Sequence, residues 1–324
     1  MCTCITYENG DFYFGRNLDL DCGFGEKVTI TPRNFPLKFR NGEVQEKHYA
    51  MIGMASSAGG KAEEKFPLYA EAVNEKGLCM AGLNFPGNAV YRREGAGERD
   101  VASFELIAWV LGTSATADEA EERLKTVNVT DAAFMEGMSP APLHWMLADR
   151  NRCLVLEAVR EGLKIYENPF GVLTNNPPFG YHRINMNNYL NLTAEYPDSG
   201  FAARRDGEET CLPLKPYSQG MGAIGLPGDA SSASRFVRAA FLRWNSVSEK
   251  TETSNVTQFF HILDGVAMVR GSVVTPEGTF DMTTYSCCVN ARTGRYYYKT
   301  YDDMRIRTVD LHGFDLESRE LAEA

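Results

Sequence analysis

The dipeptide Asn9-Gly10 sits between two runs rich in β-branched and aromatic residues, Cys2 to Tyr7 and Phe12 to Phe14. A two-residue type I′ turn needs φ > 0 at both central positions, which Asn-Gly supplies, so the pattern predicts a β-hairpin at the start of the chain. With Glu8 facing Asp11, strict pairing carries Cys2 opposite Asn17. The start of the chain then lies beside Arg16-Asn17-Leu18-Asp19, with Arg16 on the other face unless the strand bulges or ends there.

That placement matters because of what residue 2 is. Its side chain is small, so Met1 is expected to be removed, leaving Cys2 with a free α-amine and a thiol on one residue. A thiol titrates at about pKa 8.5 and an α-amine near roughly 7.7–8.0. The amine can therefore take the thiol proton, directly or through one water, and no histidine is required. Arg16 beside it would lower the thiol pKa, and Asp19 would hold and orient the ammonium.

Further motifs follow in order: Asn74-Glu75-Lys76-Gly77-Leu78, Ala81-Gly82-Leu83-Asn84-Phe85-Pro86, Leu143-His144-Trp145, Val172-Leu173-Thr174-Asn175 and Ala233-Ser234-Arg235-Phe236. With Met-Cys-Thr and Gly15-Arg16-Asn17-Leu18-Asp19, they make the chain resemble, from residue 1 to about Asp303, the choloylglycine hydrolase family of N-terminal-nucleophile hydrolases, the bile salt hydrolases and penicillin V acylases.

The resemblance implies an α+β fold, a four-layer αββα sandwich. It implies that Arg16 and Asp19 position the substrate amide and the amine of Cys2, and that the backbone amide at Asn84 and the side chain of Asn175 form the oxyanion hole. Arg235 completes the set, while its helix neighbours Arg238 and Arg243 read as surface or interface charges. The implied substrate is a bile acid conjugated to glycine or taurine, and the implied assembly is a homotetramer to which an arm at about 191–220 contributes. The pocket rim is expected at Leu18, with Phe134 and Met138 from the loop before Leu143, an adaptable apolar surface. Penicillin V acylase is the alternative within the class. Asn84 favours the bile salt hydrolases, because related acylases tend to carry tyrosine there. A binding protein for apolar anions, without turnover, is the rival from another class.

At 324 residues, with nothing like a linker, one domain over 1–324 is expected. A net charge of −10 argues against a nucleic-acid or anionic-membrane surface, since both need clustered Lys and Arg. It leaves room for an amphiphilic anion held by one arginine. No basic and apolar leader and no long apolar run is present, which predicts a cytoplasmic protein. Eight cysteines, two of them adjacent at Cys287-Cys288, do not resemble a disulfide framework and read as buried thiols, Cys2 excepted. The five histidines are far apart, and neither H-E-x-x-H nor C-x-x-C occurs, so no metal and no cofactor is expected. Gly220 to Gly225 matches a dinucleotide fingerprint by letters alone, with no strand before it. His144 reads as a core histidine, and Asn176 as a turn residue before proline.

Residues 55 to 65 read as a mobile loop, and Leu68 to Val73 with Leu78 to Asn84 as a second hairpin. Apolar spacing predicts a helix over 102–112. A capping box at Thr116-Ala117-Asp118-Glu119 predicts another to about Lys125. Three short strands over 143–167 form a meander. Helices are expected at 232–245 and 256–268, strands near 281–290, 295–301 and 305–311, and a frayed tail beyond Asp315.

Overall fold

A computed structural model describes residues 1–56, 66–135, 137, 139–197 and 214–324. The expected loop beyond Ser56, most of the expected arm, and Met138 lie outside the described residues.

The hairpin forms from β1 (Cys2–Asn9) and β2 (Asp11–Leu20), but in a different register from the one expected. Asn9 faces Asp11, Cys4 faces Arg16, and Cys2 faces Leu18 rather than Asn17. Gly10 takes φ 82°, and among the described residues no non-glycine has positive φ. The reversal is thus made by one left-handed residue instead of the two a type I′ turn needs. Because side chains alternate with period two, the one-residue shift moves Arg16 onto the face that carries Cys2 and Cys4. No bulge is needed to bring it there.

Among the described residues two large antiparallel sheets form. The first has six strands in the order Val172–Leu173, β1, β2, Met282–Asn290, Arg295–Thr300, Arg307–Asp310. The second has eight, in the order Gly162–Glu167, Cys153–Val159, Leu143–Ala148, Cys79–Asn84, Leu68–Asn74, Met51–Ser56, Glu26–Thr31, Ala322–Glu323. Helices α1 (Leu106–Thr113) and α2 (Ala117–Leu124) cover the outer face of the second sheet, where Trp109, Leu111, Ala120 and Leu124 join Met80, Trp145 and Leu156 in one core. Helix α3 (Phe179–Asn185) follows the Val172–Leu173 strand. Helices α4 (Ser232–Asn245) and α5 (Glu252–Asp264) lie on the first sheet, and a second core of Ile5, Phe14, Met146, Phe236 and Phe259 spans that layer and the space between the sheets. The result is the expected four-layer αββα sandwich.

Local signals account for most helix starts. Thr116 accepts from the Glu119 N–H, Ser231 from the Ser234 N–H and Thr251 from the Ser254 N–H. The Thr251 cap starts α5 four residues before the expected position, and α5 ends at Asp264. The tail is not frayed. Ala322–Glu323 pairs with Thr29 and Ile30, and the Arg33 N–H donates to Leu316 O over 2.8 Å, so the tail covers an edge that would otherwise present unpaired backbone groups. No helix among the described residues is long and apolar enough to cross a membrane.

Candidate active site

Cys2, 3% exposed, opens β1 at the point where β1, the Val172–Leu173 strand, the Cys79–Asn84 strand and α4 converge. β1 pairs with Val172–Leu173 through Cys4 and Leu173, so the chain two residues on delivers Asn175 beside Cys2. The Cys2 backbone N–H donates to Asn175 Oδ1 over 2.8 Å, and Asn175 Nδ2 donates to Asn84 O over 2.7 Å. The Asn84 side chain is exposed, so this residue reaches the site through its backbone. The Asn175 N–H donates to Ser232 Oγ over 2.8 Å, which ties the oxyanion candidate to the start of α4.

One turn into α4, Arg235 is fully buried. Its Nη2 donates to Asn175 Oδ1 over 2.8 Å, and its Nη1 to Cys2 O over 2.5 Å and Thr3 Oγ1 over 2.6 Å. Burial lowers its pKa, against which the Asp19 carboxylate acts. Asp19 is also fully buried, and burial raises its pKa against Arg235 and the Thr283 hydroxyl, which donates to Oδ1 over 2.6 Å. Met1 extends the hairpin by one residue. Its ammonium donates to Asp19 O over 2.6 Å and lies 3.1 Å from Asp281 Oδ2, while the Asp19 N–H donates to Met1 O over 2.9 Å.

Arg16 enters the space between the sheets. Gly15 lets β2 approach the Met282–Asn290 strand: a Cβ there would lie 2.0 Å from Cys287 O. Arg16 Nη1 donates to Gly82 O over 2.5 Å and Ala70 O over 3.1 Å, both in the second sheet. Its Nε is 3.8 Å from Glu71 Oε2, and Glu71 accepts the hydroxyls of Tyr285 over 2.7 Å and Tyr296 over 2.5 Å. Burial works against the guanidinium charge, yet Cys2, Tyr285 and Glu71 together hold the Arg16 pKa above its ordinary value. Burial raises the pKa of Glu71, with Arg16 opposing. Two buried polar atoms of the site, Arg16 Nη2 and Asp19 Oδ2, have no hydrogen-bond partner.

Cys2, Arg16, Asp19, Asn84, Asn175 and Arg235 therefore come together, and Leu18 lies opposite Cys2 across the β1–β2 pair. Phe134 does not join them by ring contact or hydrogen bond among the described residues. It packs edge-on against Phe104 at 5.3 Å, with its carbonyl accepting from Arg40. The expectation for thiols needs correction. Cys2 is itself buried, whereas Cys22 is exposed and Cys153 half-buried. No group of metal-binding side chains occurs among the described residues.

Glu71, Thr283, Ser232 and the tyrosines were not expected in the site. Glu71 carries the one usable signal, a carboxylate within the apolar strand Leu68–Asn74, because a charge on a buried strand face requires a partner.

Comparison with known proteins agrees with this geometry. The family model for linear amide C-N hydrolases, choloylglycine hydrolase family, matches residues 2–323. A bile salt hydrolase/transferase of Lactiplantibacillus plantarum is 46% identical over 321 residues, covering 99% of this chain and 95% of that protein. A crystal structure of a variant of the conjugated bile acid hydrolase from Clostridium perfringens superposes with TM-score 0.89 at 34% identity, covering 100% and 96% of the two chains. The penicillin V acylase from Agrobacterium tumefaciens shares the fold, with TM-score 0.75 at 18% identity and coverage of 99% and 90%. A family model matched over residues 2–323, a relative 46% identical over 321 residues and a sandwich that superposes over the whole chain place this protein in the choloylglycine hydrolase family of linear amide C-N hydrolases.

Proposed function

We propose that this chain hydrolyses the amide bond of glycine- or taurine-conjugated bile salts, with Cys2 as nucleophile after Met1 is removed. The observation that carries the reading is the convergence around Cys2 of three separate elements, with Asn175 and Arg235 bonded to Cys2 itself and Asn84 O accepting from Asn175. The freed α-amine takes the thiol proton, and the thiolate attacks the amide carbon. Asn175 has two N–H donors on Nδ2, one of which is spent on Asn84 O, and the other is free for the developing oxyanion. The C–N bond breaks as the α-ammonium returns its proton to the leaving amine. Water, deprotonated by the same amine, then hydrolyses the thioester and releases the bile acid.

Arg16 and Arg235 supply fixed positive charge on either side of Cys2, and Asp19 compensates it. Leu18 gives the pocket an apolar wall, and Phe134 and Met138 extend its rim. The bile-salt assignment draws on relatives named for that activity and on Asn84.

We further propose one domain over the whole chain, acting as a cytoplasmic homotetramer. Among the described residues the cysteines are unpaired, as a reducing compartment favours. An apolar groove lined by Phe170, Met186, Tyr189, Val237, Phe241 and Trp244, beside exposed Leu190, offers a face for a second copy.

The test is turnover of glycine- and taurine-conjugated bile salts against penicillin V. Faster turnover of penicillin V would overturn the substrate assignment, and absence of turnover on all of them would overturn catalysis.

A further inference from the structure

Two histidines that the mechanism does not use stand directly behind Asn175. His144 and His182 are both fully buried. His144 Nε2 lies 2.9 Å from Thr174 O, and His182 Nε2 lies 3.2 Å from Asn175 O. A carbonyl only accepts, so each Nε2 carries a proton and donates. Consecutive carbonyls of the oxyanion segment are thereby held by two imidazoles. Burial lowers the pKa of His182, and its Nδ1 has no partner, as fits a neutral ring with its one proton on Nε2.

The rings are themselves fixed by residues next to the site. His144 stacks on Phe85 with centroids 4.3 Å apart and planes at 6°, and His182 stacks on Phe236 at 4.6 Å and 15°. Phe85 follows Asn84, and Phe236 follows Arg235. Glu157 ties the pair together: its Oε1 accepts from the Phe179 N–H over 2.7 Å at the start of α3, which carries His182, and lies 3.5 Å from His144 Nδ1. The strand end bearing Asn84, the strand end bearing Asn175 and the helix bearing Arg235 are thus cross-braced through two rings.

We propose that His144 and His182 are positioning residues of the amidohydrolase, acting through Asn175 to set the direction of its side-chain amide toward the acyl oxygen. The inference rests on the function proposed above. Neither ring touches substrate or takes a proton from it. A buried ring serving only the core would stabilise the fold without being coupled to the Asn175 side chain. The clamp differs, because its effect on rate exists only while that side chain is present.

The experiment is a double-mutant cycle. Wild type, His182→Phe, Asn175→Ala and the double variant are compared for kcat and KM on a glycine-conjugated bile salt, or on whichever N-acyl amide the wild type turns over. The wild-type rates test the substrate reading, and the ratios within the cycle test the clamp. His182→Phe keeps a ring for Phe236 and removes the donor to Asn175 O. It should lower kcat roughly 10- to 100-fold, as small misplacements of a catalytic group do, with KM changed less than about twofold. In the Asn175→Ala background the same substitution should change kcat by less than about twofold. His182→Gln, which offers an amide donor in place of the ring N–H, should recover most of the rate. The proposal is overturned by a kcat near wild type in His182→Phe, by an equal loss in both backgrounds, or by a loss carried in KM. If His182→Phe does not accumulate folded, His144→Phe runs the same cycle, keeping the stack on Phe85 and removing the donor to Thr174 O.

Discussion

The backbone nitrogen of Cys2 lies 2.8 Å from Oδ1 of Asn175, and Arg235 Nη2 lies 2.8 Å from the same oxygen. Two donors on one side commit the Asn175 amide to a single orientation, with Nδ2 turned toward Asn84 O. Asn175→Ala should therefore lower kcat by about 10²–10³ with little change in KM, the usual cost of one oxyanion donor. A turn residue would instead cost on the order of 1 kcal/mol of stability and little rate. Some stability loss is expected here in any case, since Cys2 N and Arg235 lose their acceptor. Kinetics and thermal melting measured together decide it, and an unchanged kcat would sink the assignment.

The proposed mechanism requires removal of Met1, which frees the α-amine of Cys2 to act as base. Intact mass of active protein should be lower by one methionine residue. Cys2→Ser should abolish turnover while the melting temperature stays near wild type, because a hydroxyl is far harder for the amine to deprotonate. Full activity in chain that retains Met1 would refute the amine-as-base mechanism.

Arg16 and Glu71 form an ion pair buried between the sheets. Removing one partner strands the other charge, so Arg16→Leu should cost about 3–5 kcal/mol of stability as well as activity. The double variant Arg16→Leu with Glu71→Gln should regain much of that stability in denaturant titration and none of the activity. Recovery of both would make Arg16 a structural residue only.

Glu105, 2% exposed, accepts the Arg40 N–H over 2.7 Å and the Ala102 N–H over 3.2 Å. Burial nevertheless raises its pKa from 4.5 to about 7, the backbone donors opposing. The folded protein thus holds this proton more tightly than the unfolded chain does. Its contribution is fully present below about pH 4.5 and is lost as pH rises through about 7, roughly 3 kcal/mol at most. Unfolding measured at pH 4.5 and pH 8 should show Glu105→Gln relatively more stable at the higher pH. A wild-type-to-variant difference that does not change with pH would contradict this.

Phe134→Ala separates rim from core. A residue lining the apolar pocket should cost roughly 1–3 kcal/mol in kcat/KM for bile salts and less for an acyl compound with a smaller apolar body. Equal losses on every substrate, with a lowered melting temperature, would confine Phe134 to its packing against Phe104.

What the sequence determined by itself was local or carried by motif order. A reversal at Asn9-Gly10 follows from the backbone freedom of glycine, and the caps at Thr116 and Ser231 follow from side chains that reach their own helix. Cys2, Arg16, Asp19, Asn175 and Arg235 were legible because each stands within a short motif. Register was not, since one left-handed residue or two serve equally well to reverse the chain, and that choice alone sets which face carries Arg16. Nor could the local sequence show where Glu71 finds its counterion, what covers the edge at Thr29, or which rings back Asn175. Those partners lie on distant strands and helices. Packing the two sheets and α4 brings them within hydrogen-bonding distance, where burial makes their pairing obligatory.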